Sequence, residues 1–88
     1  MPTISSFFGI KILMFNESNS KHHVPHVHAL FGEFEATISL DGEILEGDLP
    51  SSKMKLVLAW IEIHRNELCL NWILLSQGKK CDKIAPLR

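Results

Sequence analysis

The chain has little of several things, and each shortage removes a class of protein. It has two cysteines, Cys69 and Cys81, in 88 residues. They form neither a CxxC pair nor a disulfide framework. No activating partner stands near either one in sequence, so both read as inert thiols. A basic excess is also missing. Nine Lys and Arg against ten Asp and Glu give a net charge of −1, with five histidines counted as neutral. A free-standing nucleic-acid binder draws most of its affinity from phosphate neutralisation and normally shows such an excess. There is no long apolar run. The most apolar stretch, Met54 to Leu75, is interrupted by Lys55, Glu62, His64, Arg65, Asn66, Glu67 and Asn71, which rules out a helix across a bilayer. Met1 to Ser6 carry no charged n-region, apolar run or small-residue cleavage site of a secretory signal. No membrane partner is expected, and the default location is cytoplasmic. Internal repeats and low-complexity tracts are absent.

What remains is a globular composition, 45% hydrophobic and 22% charged. The length predicts a single domain over 1–88. A domain this short buries a modest fraction of its surface, so a partner or self-association would add to a thin stability margin. The charge is uneven. No Lys or Arg stands between Lys21 and Lys53, whereas Glu33, Glu35, Asp41, Glu43, Glu46 and Asp48 all fall there. After Gly78 come Lys79, Lys80, Lys83 and Arg88 against Asp82 alone. The middle repels a phosphate backbone and only the tail attracts one, so nucleic-acid contact is expected to be weak or to run through a partner.

The hydrophobic pattern predicts an α+β fold: an antiparallel β-meander of about four strands, covered by one long C-terminal helix and followed by an extended arm. Phe7 to Phe15 reads as a first strand, with Ile10, Ile12 and Met14 alternating with Lys11, Leu13 and Phe15. Asn16 to Lys21 is a polar loop. His26 to Phe31 and Phe34 to Leu40 read as strands joined by Gly32-Glu33, a pair that suits a type II′ turn. Asp41-Gly42 signals a type I′ turn into a short strand, Glu43 to Glu46. From Pro50 the period becomes helical, with Asp48 or Ser51 as cap, and it runs from Ser51 to Gln77. Gly78 followed by two lysines stops it.

The helix has more apolar surface than one sheet face needs. Met54, Val57, Ile61, Leu68, Trp72 and Leu75 form one arc, and Leu56, Ile63, Leu70 and Leu74 a second, roughly opposite. Between them runs the stripe Trp60, His64, Glu67, Asn71. The second arc requires a cover other than the sheet, either the tail folding back or a protein partner or homodimer.

Four of the five histidines cluster in Lys21-His22-His23-Val24-Pro25-His26-Val27-His28-Ala29. On a strand His26 and His28 share a face, and Pro25 suits a strand start. An H-x-H pair presents two imidazoles to one metal ion or one reacting group. His22 and His23 sit in the loop nearby. If the stripe borders the sheet, His64 joins His26 and His28, with Glu67 and Asn71 to orient an imidazole or hold a polar ligand. Three imidazoles beside a carboxylate suit zinc or another divalent metal. Two imidazoles without metal suit acid–base cleavage of RNA. The plain alternative is a solvated loop and a hydrogen-bonded His64, and Trp60 and Trp72 fit core packing better than ligand stacking.

Several motifs in order carry a resemblance. They are Pro2-Thr3-Ile4-Ser5 with Phe7-Phe8-Gly9-Ile10, then Pro25-His26-Val27-His28-Ala29 with Gly32, and Leu45-Glu46-Gly47-Asp48-Leu49-Pro50. Leu56-Val57 with Trp60, His64-Arg65 with Glu67-Leu68, Asn71-Trp72 and Lys83-Ile84-x-Pro86-Leu87 complete the set. Together they resemble the small bacterial family catalogued as domain of unknown function 4160, across essentially the whole chain. The family pattern has a second proline where Val24 stands and an aromatic where Val27 stands. The resemblance implies His26, His28, Trp60, His64, Glu67 and Asn71 as motif positions. It also implies a paired context, because members are commonly encoded beside or fused to another small uncharacterised family (2442), in the manner of a toxin–antitoxin module.

The function expected is therefore one component of such a two-protein module. Its working site is the histidine cluster: His26, His28 and His64, either catalytic or metal-binding, with Trp60, Glu67 and Asn71 as ligand contacts. The alternatives are a metal-independent ribonuclease and a metal-binding structural or regulatory domain.

Overall fold

The structure is a computed structural model that describes residues 3–15 and 24–87. The polar loop expected over Asn16 to Lys21 lies outside them. Five antiparallel strands follow in order across one sheet: β1 (Thr3–Phe7), β2 (Ile10–Leu13), β3 (His26–Phe31), β4 (Phe34–Ser39) and β5 (Ile44–Asp48). Two helices complete the fold, α1 (Ser51–Ile63) and α2 (Arg65–Ser76). The α+β meander is as the pattern predicts, with two differences of detail.

The first expected strand is a hairpin. Phe7 pairs with Ile10, and between them Phe8 and Gly9 both take positive φ, 48° and 80°. Positive φ at both central residues belongs to a type I′ turn. Phenylalanine is a poor signal for one, so the alternation of Ile10, Ile12 and Met14 extends back across the turn in sequence without a visible break. The Lys53 ammonium donates to the Phe8 carbonyl oxygen at 3.2 Å and lies 4.9 Å over the Phe31 ring, tying the turn to α1.

The long helix is broken at His64, whose φ of −107° and ψ of 20° leave the helical region. Its N–H still bonds the Trp60 carbonyl, and its own carbonyl accepts from the Leu68 N–H, so the backbone stays satisfied across the break. The stop at Gly78 is a Schellman motif. The Lys79 N–H bonds the Leu74 carbonyl, the Gly78 N–H bonds that of Leu75, and Gly78 has a φ of 75°. At the start, Pro50 takes the cap position, and no side-chain cap bond from Asp48 or Ser51 forms.

The remaining turns divide. Gly32 has positive φ and Glu33 does not, the φ pattern of the expected type II′ turn. At the next turn only Gly42 is positive; the Gly42 N–H bonds the Ser39 carbonyl and the Ser39 hydroxyl accepts from the Asp41 and Glu43 N–H groups. This is a longer, side-chain-supported turn in place of type I′, and it starts β5 at Ile44.

Period-two alternation sends Ile10, Ile12, Met14, Val27, Ala29, Ala36 and Ile38 to one face, where Met54, Val57, Trp60, Ile61 and Leu68 cover them. The arm after α2 crosses beside this core. The Ile84 N–H bonds the Ile4 carbonyl at the outer edge of β1, and the Ile84 side chain is buried. The second helix arc divides: Leu56 packs against the core and Leu74 is half-buried, whereas Ile63 and Leu70 are 65% and 62% exposed, and beside them Ile73, outside that arc, is 50% exposed.

Gly47, opposite Ala36, has a φ of 78°, and a Cβ there would lie 2.1 Å from the Glu35 carbonyl oxygen. Gly32 also has positive φ, but its Cβ would meet nothing within 4 Å. Gly32→Ala should therefore cost only the backbone strain of about 1 kcal/mol. Gly47→Ala adds a clash with backbone and should cost at least about 2–3 kcal/mol in urea unfolding. Equal losses at the two positions would refute this account of the β4–β5 contact.

Candidate functional site

His26 and His28 point away from the helix-covered face, because Val27 between them is in the core. Their rings lie 5.2 Å apart, edge to face. The His26 Nδ1 donates to the Val24 carbonyl at 2.7 Å, so in the neutral ring Nε2 is the basic nitrogen. His26 is 1% exposed and its ring lies 5.1 Å from that of Trp72. His28 is half-buried; it stacks on Phe15 at 4.7 Å and shares a 3.3 Å hydrogen bond with the hydroxyl of Thr37, its partner in register. A small groove of about 120 Å³ opens beside it, lined by Leu13, Phe15, His28, Leu30 and Glu35. Of the two imidazoles, His28 is the one that lines this groove, and Glu35 supplies a carboxylate at the same wall.

His64 is elsewhere. It belongs to the helix layer, with its ring 5.4 Å from that of Trp60 and its Nδ1 bonded to the Glu67 carboxylate at 2.5 Å. Among the described residues, no three His, Cys, Asp or Glu side chains gather as a metal site requires, so His26, His28 and His64 do not converge on one ion. The reason is the cover over the helix stripe. The stripe borders the arm and not β3. The Trp60 Nε1 donates to the Ala85 carbonyl at 2.8 Å. The Asn71 Nδ2 donates to the Asp82 carbonyl at 2.8 Å, while its Oδ1 accepts from the Asp82 N–H at 2.9 Å. Trp60 and Asn71 are 0% and 2% exposed, and their polar atoms are engaged by the arm. Glu67 stays exposed, paired with His64. His22 and His23 lie outside the described residues.

Phe15, Thr37 and Trp72 are the neighbours that sequence reasoning missed. The signal for two of them was available in the strand register. Leu13 pairs with His28, which brings Phe15 beside it, and Thr37 stands directly across from His28. Trp72 reads as core from the helix periodicity and does pack against the core, and its ring also lies 5.1 Å from that of His26. Neither cysteine joins this site. Cys69 is exposed, and the Cys81 thiol has its pKa raised, by burial first and the Asp82 carboxylate second, which keeps it a neutral thiol.

The chain belongs to the family described as Domain of unknown function (DUF4160), whose profile matches residues 9–73. No curated protein and no solved structure gives a significant match. The matched span opens at the β1–β2 turn and closes within α2, so it contains His26, His28 and His64 and leaves out the arm.

Asn71→Ala should destabilise the fold by about 2 kcal/mol, through two lost hydrogen bonds and a cavity at a buried position. It should also free the arm, read as faster tryptic cleavage at Lys79, Lys80 and Lys83. Unchanged stability and unchanged cleavage would return Asn71 to the pool of ligand contacts.

Proposed function

We propose that this chain is the partner-binding component of a bacterial two-protein module of toxin–antitoxin type, docking through the row Ile63, Leu70 and Ile73. The observation that supports this reading is the exposure of that row. These three large apolar side chains lie at intervals of seven and three along α1 and α2, half or more exposed, while the arm that was a candidate to cover them lies against Trp60 and Asn71 instead. Burying such a row returns roughly 1.5–3 kcal/mol per side chain, which is what a helix-in-groove or helix-pair contact uses. The paired context implied by the family resemblance supplies the kind of partner.

A second reading, a metal-independent ribonuclease, draws on the closeness of the His26 and His28 rings. Acid–base cleavage needs a base and an acid at the scissile bond, and two imidazoles suit the two roles. Burial of His26 weighs against it, as does Glu35 in the wall of the His28 groove, since a carboxylate there repels phosphate. The metal-binding reading has less support still, because the three imidazoles named for it stand apart.

Co-expression with the product of the adjacent gene tests the leading reading. The wild-type chain should co-purify with it, and Leu70→Glu should lose the complex while melting within about 3 °C of wild type, since the residue is exposed. A complex that survives both Leu70→Glu and Ile63→Glu refutes docking through this row. Growth on induction separates the second reading. Arrest by the wild type that disappears in His28→Ala, with no partner required, would favour the ribonuclease.

A further inference from the structure

We infer that a groove between the β1 edge and the arm accepts an extended, carboxylate-bearing segment of a protein partner. The inference rests on the partner-binding reading and names a second contact, separate from the helix row. Beside the arm lies a groove of about 630 Å³ bordered by Thr3, the buried Ile4, half-buried Leu75 and Cys81, with Lys79, Lys80 and Lys83 along it. Among the described residues, no acidic side chain lines it. In a chain of net charge −1, three lysines on one groove form a local field opposite to the rest of the surface.

A second observation points to a ligand. The groove continues, past Thr3, Ile4 and Lys83, into a further 220 Å³ lined by Ser5, Ser6, Ile84 and Pro86. There the Ser5 hydroxyl is buried, the residue being 7% exposed, and has no hydrogen-bond partner among the described residues. A buried hydroxyl without a partner is costly, and an incoming backbone amide or carboxylate would satisfy it. β1 is an edge strand, and the arm already takes the Ile4 carbonyl, so an incoming segment would lie beside the arm and not replace it.

Protein fits this groove better than nucleic acid does. Its lining among the described residues has half-buried Leu75 and a hydroxyl but no aromatic ring. Single-stranded nucleic acid is held by bases stacked on aromatic side chains, whereas a peptide of alternating acidic and apolar residues would meet lysines with one set and the half-buried Leu75 and Cys81 with the other.

The test uses the full chain and a labelled synthetic peptide of about ten residues alternating Glu and Val, titrated to about 1 mM. A Lys–Val peptide and an oligouridylate of equal length are run beside it. Saturable binding of the acidic peptide alone is expected, weakening as salt rises. The exposed lysines can be reversed without loss of fold, and Lys79→Glu/Lys80→Glu/Lys83→Glu should lower affinity at least tenfold. Ser5→Val should lower it about threefold to tenfold with the fold intact. Tighter binding of oligouridylate would overturn the proposal in favour of a phosphate groove. Absence of binding by either probe would overturn it too. So would self-association that the triple variant abolishes, because the occupant would then be the acidic strand β5 of a second copy. The peptide assay needs no native partner. A failed peptide with an intact Leu70-dependent complex therefore removes the groove alone, and the reverse result removes the helix-row reading alone.

Discussion

One buried amide organises much of this molecule. Asn71 uses its Nδ2 and its Oδ1 on the carbonyl and the N–H of Asp82, so both polar groups of one arm residue are paired by one side chain. That contact fixes the arm two residues before Ile84, which enters the core and bonds the β1 edge, and three before Ala85, which receives the Trp60 indole N–H. An apolar side chain at 71 would leave the arm without its clasp, and the Trp60 indole would lose its acceptor when the arm left. The exposed helix row and the lysine groove both follow. The arm can cover only one side of the helix pair, and by lying along Trp60 and Asn71 it leaves Ile63 and Leu70 bare and lines up Lys79, Lys80 and Lys83 beside β1.

The same constraint explains why the histidines divide. Strand alternation alone decides that His26 and His28 leave the core side, since Val27 and Ala29 are needed inside it. From the helices, Trp72 approaches them, its ring 5.1 Å from that of His26. His64 is held in the helix layer by Trp60 on one side and the Glu67 carboxylate on the other. Two histidine environments result: a ring-packed pair on β3, of which His28 borders a groove, and a carboxylate-paired imidazole at a helix junction.

How much of this was legible in sequence depended on whether the controlling contact was local. The bounds of β3, the Gly32 turn and the Gly78 stop are set by neighbours within a few residues, and residue type alone finds them. The Phe8-Gly9 turn was hidden because its first position is an aromatic, and its support comes from Lys53, forty-five residues on. The break at His64 has no Gly or Pro to announce it. The stripe Trp60, His64, Glu67, Asn71 was visible from helix periodicity, but its cover was not. Nothing in a helical wheel states whether a polar stripe faces a strand, a ligand or the chain's own arm. Of the candidate site, the shared face of His26 and His28 was therefore readable, and the placement of His64 was not.

The uneven charge acquires a direction once the strands are in order. β5, at one edge of the sheet, carries Glu46 and Asp48, with Glu43 just before it and Glu35 across from Asp48 on β4. At the other edge, beside β1, lie the lysines of the arm groove. A net charge near zero thus hides a sheet with an acidic edge and a basic one. Open edges are hazards for indiscriminate strand pairing, and charge of one sign along an edge discourages like edges from meeting. Two β5 edges repel, as do two lysine grooves, so neither edge pairs with its own kind. A partner with an acidic strand would be steered to the β1 side and turned away from β5 before any apolar contact forms. Orientation would then be set by charge, and affinity by the apolar row on the helices.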